Sequence, residues 1–336
     1  MDTIGFVRAQ RQNLPIVPTK ETCAGKTFII TGSNSGIGFE AVKHLVNLGS
    51  ARVIIAVRSI ERGQDAKARI DASTGRPDVT EVWQLDMSSY DSIRAFAKRA
   101  SSELSRLDGL VENATAALDE WTVAEGMETS ITVNVIGTVM LALLLHPKLM
   151  KTAKTSDSPP HIVVVTSGLG FTQPDFLKYG DEDVFDVLNT QGKSPMEKRL
   201  NDCRYSVTKL VQILAVRQLA TILPASRTGV VLNLLNPGLC NTGLAKYGRM
   251  ALRLQVWMMN AAIGRTPEMG SRTILHSMFA GAESHGQYIS DCQIKDHWVP
   301  EWVKNESGQK FQNMVWTQLA TRLEKIEPRC TKNLVG

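Results

Sequence analysis

From Lys26 onward, apolar and polar positions alternate in a regular way. Thr27-Phe28-Ile29-Ile30 is a short apolar run closed by a glycine turn, which predicts a buried parallel strand. Ile37, Ala41, Leu45 and Leu48 then recur every three or four residues, the spacing of a helix laid on a sheet, and Gly49 ends it. The same alternation predicts further strands over Arg52–Val57, Val79–Leu85, Leu107–Val111, His161–Thr166, Gly229–Leu235 and Gly286–Ser290. Between them it predicts helices over Ile60–Ala72, along the face Ile93, Phe96, Ala97, Ala100 and Leu104, and over Val123–Met150, Tyr205–Ile222 and Met269–Ala280. Strand and helix in turn at this pace imply an α/β fold with a doubly wound parallel sheet.

The pattern breaks at both ends and in the middle. Residues 1–25, with Pro15 and Pro18 and no periodicity, read as an extended leader. The domain proper spans 26–297, and 298–336 form an extension with a helical stretch near Met314–Leu323. Phe171–Asp202 is too long for an ordinary strand-to-helix connection.

Composition narrows the class. Hydrophobic residues make up 43% and charged residues 21% of 336, which excludes a disordered or collagen-like chain. Lys and Arg exceed Asp and Glu by 38 to 33, with no block of five cations, so no nucleic-acid partner is expected. Five scattered cysteines, Cys23, Cys203, Cys240, Cys292 and Cys330, without a CxxC, suit free thiols in a reducing compartment, and the expected location is cytoplasmic. Six histidines form no HExxH pair, so no metal site is expected. The N-terminus lacks the apolar core of a secretory signal, and Val139–Leu145, the longest apolar stretch, is too short for a transmembrane segment.

Thr31-Gly32-Ser33-Asn34-Ser35-Gly36-Ile37-Gly38 joins the first strand to the first helix. Glycines there let backbone approach a pyrophosphate, and the helix N-terminus supplies oriented N–H groups. The alternative is a tight turn with no ligand. With the doubly wound sheet, the loop describes a Rossmann fold built for a dinucleotide. Arg58 closes the second strand, where a carboxylate would favour NAD and a cation the 2′-phosphate of NADP. Arg58 as an ordinary surface arginine is the competing reading. Tyr205 and Lys209 stand four apart on one helical face, and Ser167 follows the fifth strand at the edge where such sheets bind ligands. A nearby cation lowers a phenol's pKa, and the serine hydroxyl suits a substrate oxygen.

With these pieces in this order, the chain resembles the short-chain dehydrogenase/reductase family over roughly Gly25–Ser290. The matching residues are the glycine loop, Leu85-Asp86 with the following Met87, Asn113-Ala114, Asn134, Thr166-Ser167, Tyr205 with Lys209, and Asn236-Pro237-Gly238 followed by Thr242. The resemblance implies adenine contact at Asp86, a cofactor-side strand end at Asn113-Ala114, and a nicotinamide-side contact at Pro237, Gly238 and Thr242. It also implies that Asn134 holds a water in a proton relay reaching Lys209. The 38-residue gap from Ser167 to Tyr205, the run Gly5–Gln10 and the run Glu283–Tyr288 look like a retinol-dehydrogenase-like fungal branch, many members of which serve secondary-metabolite pathways. The chain departs from the family's Asn-Asn-Ala-Gly at Glu112-Asn113-Ala114-Thr115.

The resemblance implies an NADP(H)-dependent oxidoreductase acting on a small-molecule carbonyl or alcohol. Asn134, Ser167, Tyr205 and Lys209 are its expected catalytic set, and a homo-oligomer stays open. The rival is a cofactor-binding scaffold without redox turnover. Family members place a substrate loop after Pro237-Gly238. Here Leu239–Arg265 carries Met250, Leu254, Trp257, Met258 and Ala261 on one helical face. That face reads as a lid over an apolar substrate, as a helix packed on the core, or as a membrane-surface helix.

Overall fold

The computed structural model describes residues 3–190, 203–244 and 250–331. Its main sheet is built from β1 (Thr27–Thr31), β2 (Arg52–Val57), β3 (Thr80–Gln84), β4 (Gly109–Glu112), β5 (His161–Val165), β6 (Val231–Asn236), β7 (Tyr288–Ser290) and β8 (Gln293–Ile294). Their order is β8-β7-β6-β5-β4-β1-β2-β3; the first seven run parallel and β8 closes the edge antiparallel. The chain therefore winds outward twice from β1, once through β2 and once through β4. That reversal opens a crevice at the carboxyl ends of β1 and β4, the place where such sheets bind ligands.

The central strands carry β-branched runs such as Val53-Ile54-Ile55 and Val163-Val164-Val165, which are buried because helices cover both faces of the sheet. Beyond α1 (Thr3–Gln10), the sheet is flanked by α2 (Gly36–Asn47), α3 (Ile60–Thr74), α4 (Tyr90–Glu103), α5 (Thr138–Ala153), α6 (Arg204–Ile222), α7 (Met250–Ile263), α8 (Pro267–Met278) and α9 (Glu306–Ile326). Ile30, Val53, Val111 and Leu235 pack on α2, α3 and α8. Ile29, Ile54, Leu110 and Leu234 pack on the layer made by α4, α5, α6 and α9.

Three expectations are corrected. The described part of the expected leader, 3–25, is packed on the domain: α1 is helical, Ala9, Gln10 and Leu14 are buried, and Arg272 donates to the Leu14 carbonyl. Val123–Glu128 is a small hairpin closed at Gly126, so the long helix begins at Thr129. The described part of the 298–336 extension, 298–331, belongs to the main core. Phe311, Val315, Leu319 and Leu323, four residues apart on α9, pack into it beside Phe176 and Phe185 from the stretch after β5. Arg322 pairs with Asp183 and Asp186, tying that stretch to α9. Thr129–Ala153 is long and apolar enough to cross a membrane by length and composition, although 89% of its most apolar window is buried inside the fold, as befits a core helix. None of the five cysteines is in a disulfide.

Candidate active site

Thr31 ends β1, and its hydroxyl accepts from the Asn113 and Ala114 amides, both at 2.9 Å. The Asn113 carboxamide donates to the Thr31 carbonyl at 2.8 Å and to that of Gly32 at 3.3 Å. These bonds lash β1 to β4 across the crevice, so Asn113 acts as the fastener of the glycine loop. Gly32 has φ +63°, and a Cβ there would lie 2.9 Å from the Ala114 Cα. At Gly38 a Cβ would come within 2.6 Å of Nδ2 of the Asn113 carboxamide. Only glycine lets loop and strand end approach this closely. Ser33 is buried with its hydroxyl donating to the Ile30 carbonyl at 2.7 Å. Asn34 is half-buried and Ser35 exposed in the same loop.

The helix that follows is open to an anion. Ser35 makes no side-chain cap and the first turn of α2 holds no acidic residue, so the N–H groups of Gly36, Ile37 and Gly38 keep no side-chain acceptor. Thr242 packs beside Gly36. Arg58 is exposed at the carboxyl end of β2, and no other described residue pairs with it. Asp86 is held after β3 through one carboxylate oxygen, which accepts from the Ser88 amide at 2.9 Å and the Ser88 hydroxyl at 2.6 Å. Met87 is buried next to it with its carbonyl against Gly137. These features fit a dinucleotide: a glycine cradle, an uncapped helix N-terminus, and an unpaired cation at the strand end.

The proposed catalytic side chains meet at the ends of β5 and α6. Ser167 follows β5, and Tyr205 hydrogen-bonds to it from the first turn of α6. Lys209 is 1% exposed, one turn further along. Its Nζ donates to the Val165 carbonyl at 2.9 Å and to Gln212 Oε1 at 3.1 Å, and it stands 5.9 Å from the Tyr205 ring centre. Burial draws the Lys209 ammonium down to about 7. In this arrangement the Tyr205 phenol is governed by burial. Burial pushes the phenol up to about 12, opposed only by its hydrogen bond with Ser167, and the lysine's donors are directed to Val165 and Gln212. The phenol therefore keeps its proton at neutral pH.

Asn134 is fully buried in a six-residue π-turn, Thr132–Gly137. Its side chain accepts from the Thr115 hydroxyl and the Ala116 amide, both at 2.8 Å, and donates to the Ala116 carbonyl and to Thr208. The residue expected to hold a relay water thus spends its side chain on the strand-end loop, and its carbonyl accepts from Gln212 Nε2 at 2.6 Å. Thr115, where the family pattern has glycine, is accommodated because its hydroxyl turns onto Asn134. Pro237 and Gly238 follow β6, with the Pro237 carbonyl accepting from the buried Arg265 at 3.0 Å.

Two polar residues of this region were not legible from the motifs. Gln212 carried a signal: a polar residue three after Lys209, on the inward face of the same helix. Gln10 lies in the run Gly5–Gln10, read only as a mark of the branch. Its carboxamide pairs with the Leu239 amide and carbonyl at 3.1 and 2.9 Å and reaches the Ile263 carbonyl at 3.2 Å. The N-terminal helix thereby grips both stems of the segment that carries α7.

Glu112 is the other departure from the family pattern, and it is buried with neither carboxylate oxygen hydrogen-bonded. Burial holds its pKa well above the ordinary carboxylate range, with only a weak opposing effect from Thr31. The folded protein therefore keeps this proton at pH values where the unfolded chain has lost it. Stability is fully present below the unfolded pKa and falls as pH rises toward the folded one, by about 1.4 kcal/mol per pH unit where the two states differ by one proton. Glu112→Gln removes the ionisation at nearly constant shape. Calorimetry from pH 5 to 8 should show its Tm gaining on the wild type as pH rises; a gap independent of pH would mean that Glu112 does not titrate with folding.

Comparison with known proteins agrees with this geometry. The model of the family described as short chain dehydrogenase matches residues 26–180. The short chain dehydrogenase/reductase dmxR8 of Cryptosporiopsis sp. is 41% identical over 333 residues, covering 98% of this chain and all of that one. The short-chain dehydrogenase anuD of Penicillium roqueforti is 35% identical over 332 residues, covering 98% of this chain and 85% of that one. Among solved structures, an NADPH-bound carbonyl reductase from chicken fatty liver superposes with a TM-score of 0.59 at 19% identity, covering 80% of this chain and 97% of that one. A short chain dehydrogenase from Escherichia coli CFT073 complexed with NADPH gives the same TM-score at 22% identity, covering 82% and 99%. Those structures share the fold, and the full-length likeness to the fungal proteins goes further: this chain belongs to the short-chain dehydrogenase/reductase family.

Proposed function

We propose that this oxidoreductase uses NADP(H) to interconvert a carbonyl and an alcohol on an apolar small molecule, such as a fungal secondary-metabolite intermediate. The observation that carries the reading is the meeting of Ser167, Tyr205 and Lys209 at the mouth of the crevice that also holds the glycine loop. The α2 N-terminus would take the pyrophosphate, Arg58 the 2′-phosphate and Asp86 the adenine. Lys209, with one donor not committed to Val165 or Gln212, would hold the ribose. When bound, the dinucleotide supplies or accepts the hydride. Ser167 Oγ orients the substrate oxygen. Tyr205 Oη, protonated at neutral pH, gives its proton to that oxygen in the reducing direction. Five cysteines without a disulfide suit a cytoplasmic setting.

The test is a panel of aliphatic, aromatic and polycyclic ketones and aldehydes, followed by absorbance at the reduced-nicotinamide band with NADPH. Turnover of bulky apolar carbonyls supports the reading. Tight dinucleotide binding with no turnover in either direction would instead support a scaffold.

The helix α7 forms the substrate lid in this proposal. Its face of Met250, Leu254, Trp257 and Met258 is exposed, with Trp257 at 66%, which supports a cover over a ligand rather than a helix packed on the core. Its stems are held together, because Cys240 bridges to Arg265 and the Arg265 amide donates to the Leu239 carbonyl at 2.8 Å. Methionine adapts to irregular shapes and tryptophan offers a large apolar surface. Trp257→Ala should weaken kcat/KM for a bulky apolar substrate by roughly tenfold or more, the worth of one large apolar side chain. Tm and NADPH affinity should hold. A fall in Tm without a kinetic effect would place Trp257 in the core, and vesicle co-sedimentation lost in the variant would place it on a membrane.

A further inference from the structure

Among the described residues, no carboxylate pairs with the buried Lys209 ammonium. Burial is the one resolved cause of its shift, and neither the strand ends nor the π-turn contributes a charged group to its titration. The titratable group it faces is Tyr205, on its own helix. Its two polar contacts are the Val165 carbonyl and the Gln212 side chain. Gln212, 1% exposed, donates in turn to the Asn134 carbonyl at 2.6 Å. Asn134 is itself immobilised by four side-chain hydrogen bonds. A continuous line of protein atoms therefore runs from the π-turn to the lysine.

We propose that Gln212 is a positioning residue whose carboxamide ties Lys209 to the Asn134 carbonyl and fixes the ammonium behind Tyr205. This rests on the oxidoreductase reading above. A carboxamide accepts through oxygen and donates through nitrogen, and it keeps its own protons. The link between Asn134 and Lys209 accordingly transmits position and polarity. In that respect it differs from the water-borne relay that the family resemblance implies. The Gln212 oxygen also stabilises the charged lysine in a site that otherwise disfavours charge.

Two nearly isosteric changes separate this role from simple packing. Gln212→Glu sets a carboxylate beside the ammonium, and Gln212→Leu removes the acceptor. The Lys209 side-chain titration is followed by NMR on lysine-labelled protein without dinucleotide, its signal identified by loss in Lys209→Arg. The expected result is an upward shift of about one pH unit or more in the Glu variant and a downward shift in the Leu variant. The pH profile of kcat/KM should move in the same directions, with substrate KM held within about twofold. Should Gln212→Leu fail to fold, the Glu variant decides alone. An unmoved titration, with activity lost equally at every pH, overturns the positioning role. A shifted titration in a protein that turns over no carbonyl supports the positioning and overturns the oxidoreductase reading.

Discussion

Tyr205→Phe should give a folded protein that binds NADPH and turns over at roughly one-hundredth to one ten-thousandth of the wild-type rate, the range expected when a general acid is removed. The ring packs in the first turn of α6, and phenylalanine keeps that packing. What disappears is Oη, the hydrogen bond to Ser167, and the proton that neutralises the substrate oxygen. Because burial keeps the phenol protonated up to about pH 12, loss of this donor should be felt across the whole neutral range. Circular dichroism, Tm and the dinucleotide Kd are the controls, and single-turnover rates are the measurement. Activity within tenfold of wild type, with the controls unchanged, would remove Tyr205 from the acid/base role. Ser167→Ala serves as a comparison, since it leaves the proton in place and removes only the partner that orients it.

The parallel sheet was legible because its central strands are buried on both faces and read as mostly aliphatic runs, and because the helices between them keep one apolar stripe each. The glycine loop was legible because backbone approach constrains residue type directly. The N-terminal helix was not. It is held by Gln10 and by Arg265 reaching the Ala9 carbonyl, polar contacts to backbone more than 200 residues away that leave no periodicity. The Val123–Glu128 hairpin was lost in the apolar pattern of the helix that follows it, although Glu125 and Gly126 both adopt positive φ. In the site, motif residues and spacing gave the positions, whereas hydrogen bonding distributes the work. Asn113 and Asn134 hold loops, and Gln212, outside every motif, makes the contact to Lys209. Side-chain partners across 78 residues, such as Gln212 and Asn134, depend on how α6 lies against the π-turn, which local sequence does not encode.

Arg58→Ala should weaken NADP(H) binding by roughly tenfold to a hundredfold and leave NAD(H) nearly unchanged. A hydrogen bond to a charged group contributes about 1.5–3 kcal/mol, and each 1.4 kcal/mol is a tenfold change in Kd. The side chain meets the geometric requirements for this role: it follows the last residue of β2, it is exposed, and no described neighbour competes for it. A guanidinium presents paired donors that match a phosphate, while NAD offers only ribose hydroxyls at the same place. The helix after β2 is capped independently, by Ser59 accepting from the Arg62 amide, so truncating Arg58 should not disturb the local fold. Calorimetric titration of both dinucleotides against wild type and variant, at two ionic strengths, checks this. The difference between NADP and NAD affinities should shrink on raising the salt in wild type, because exposed charge pairs are screened. It should be small at both ionic strengths in the variant. Equal loss for both dinucleotides would make Arg58 a structural residue and leave the preference for NADP without its proposed origin.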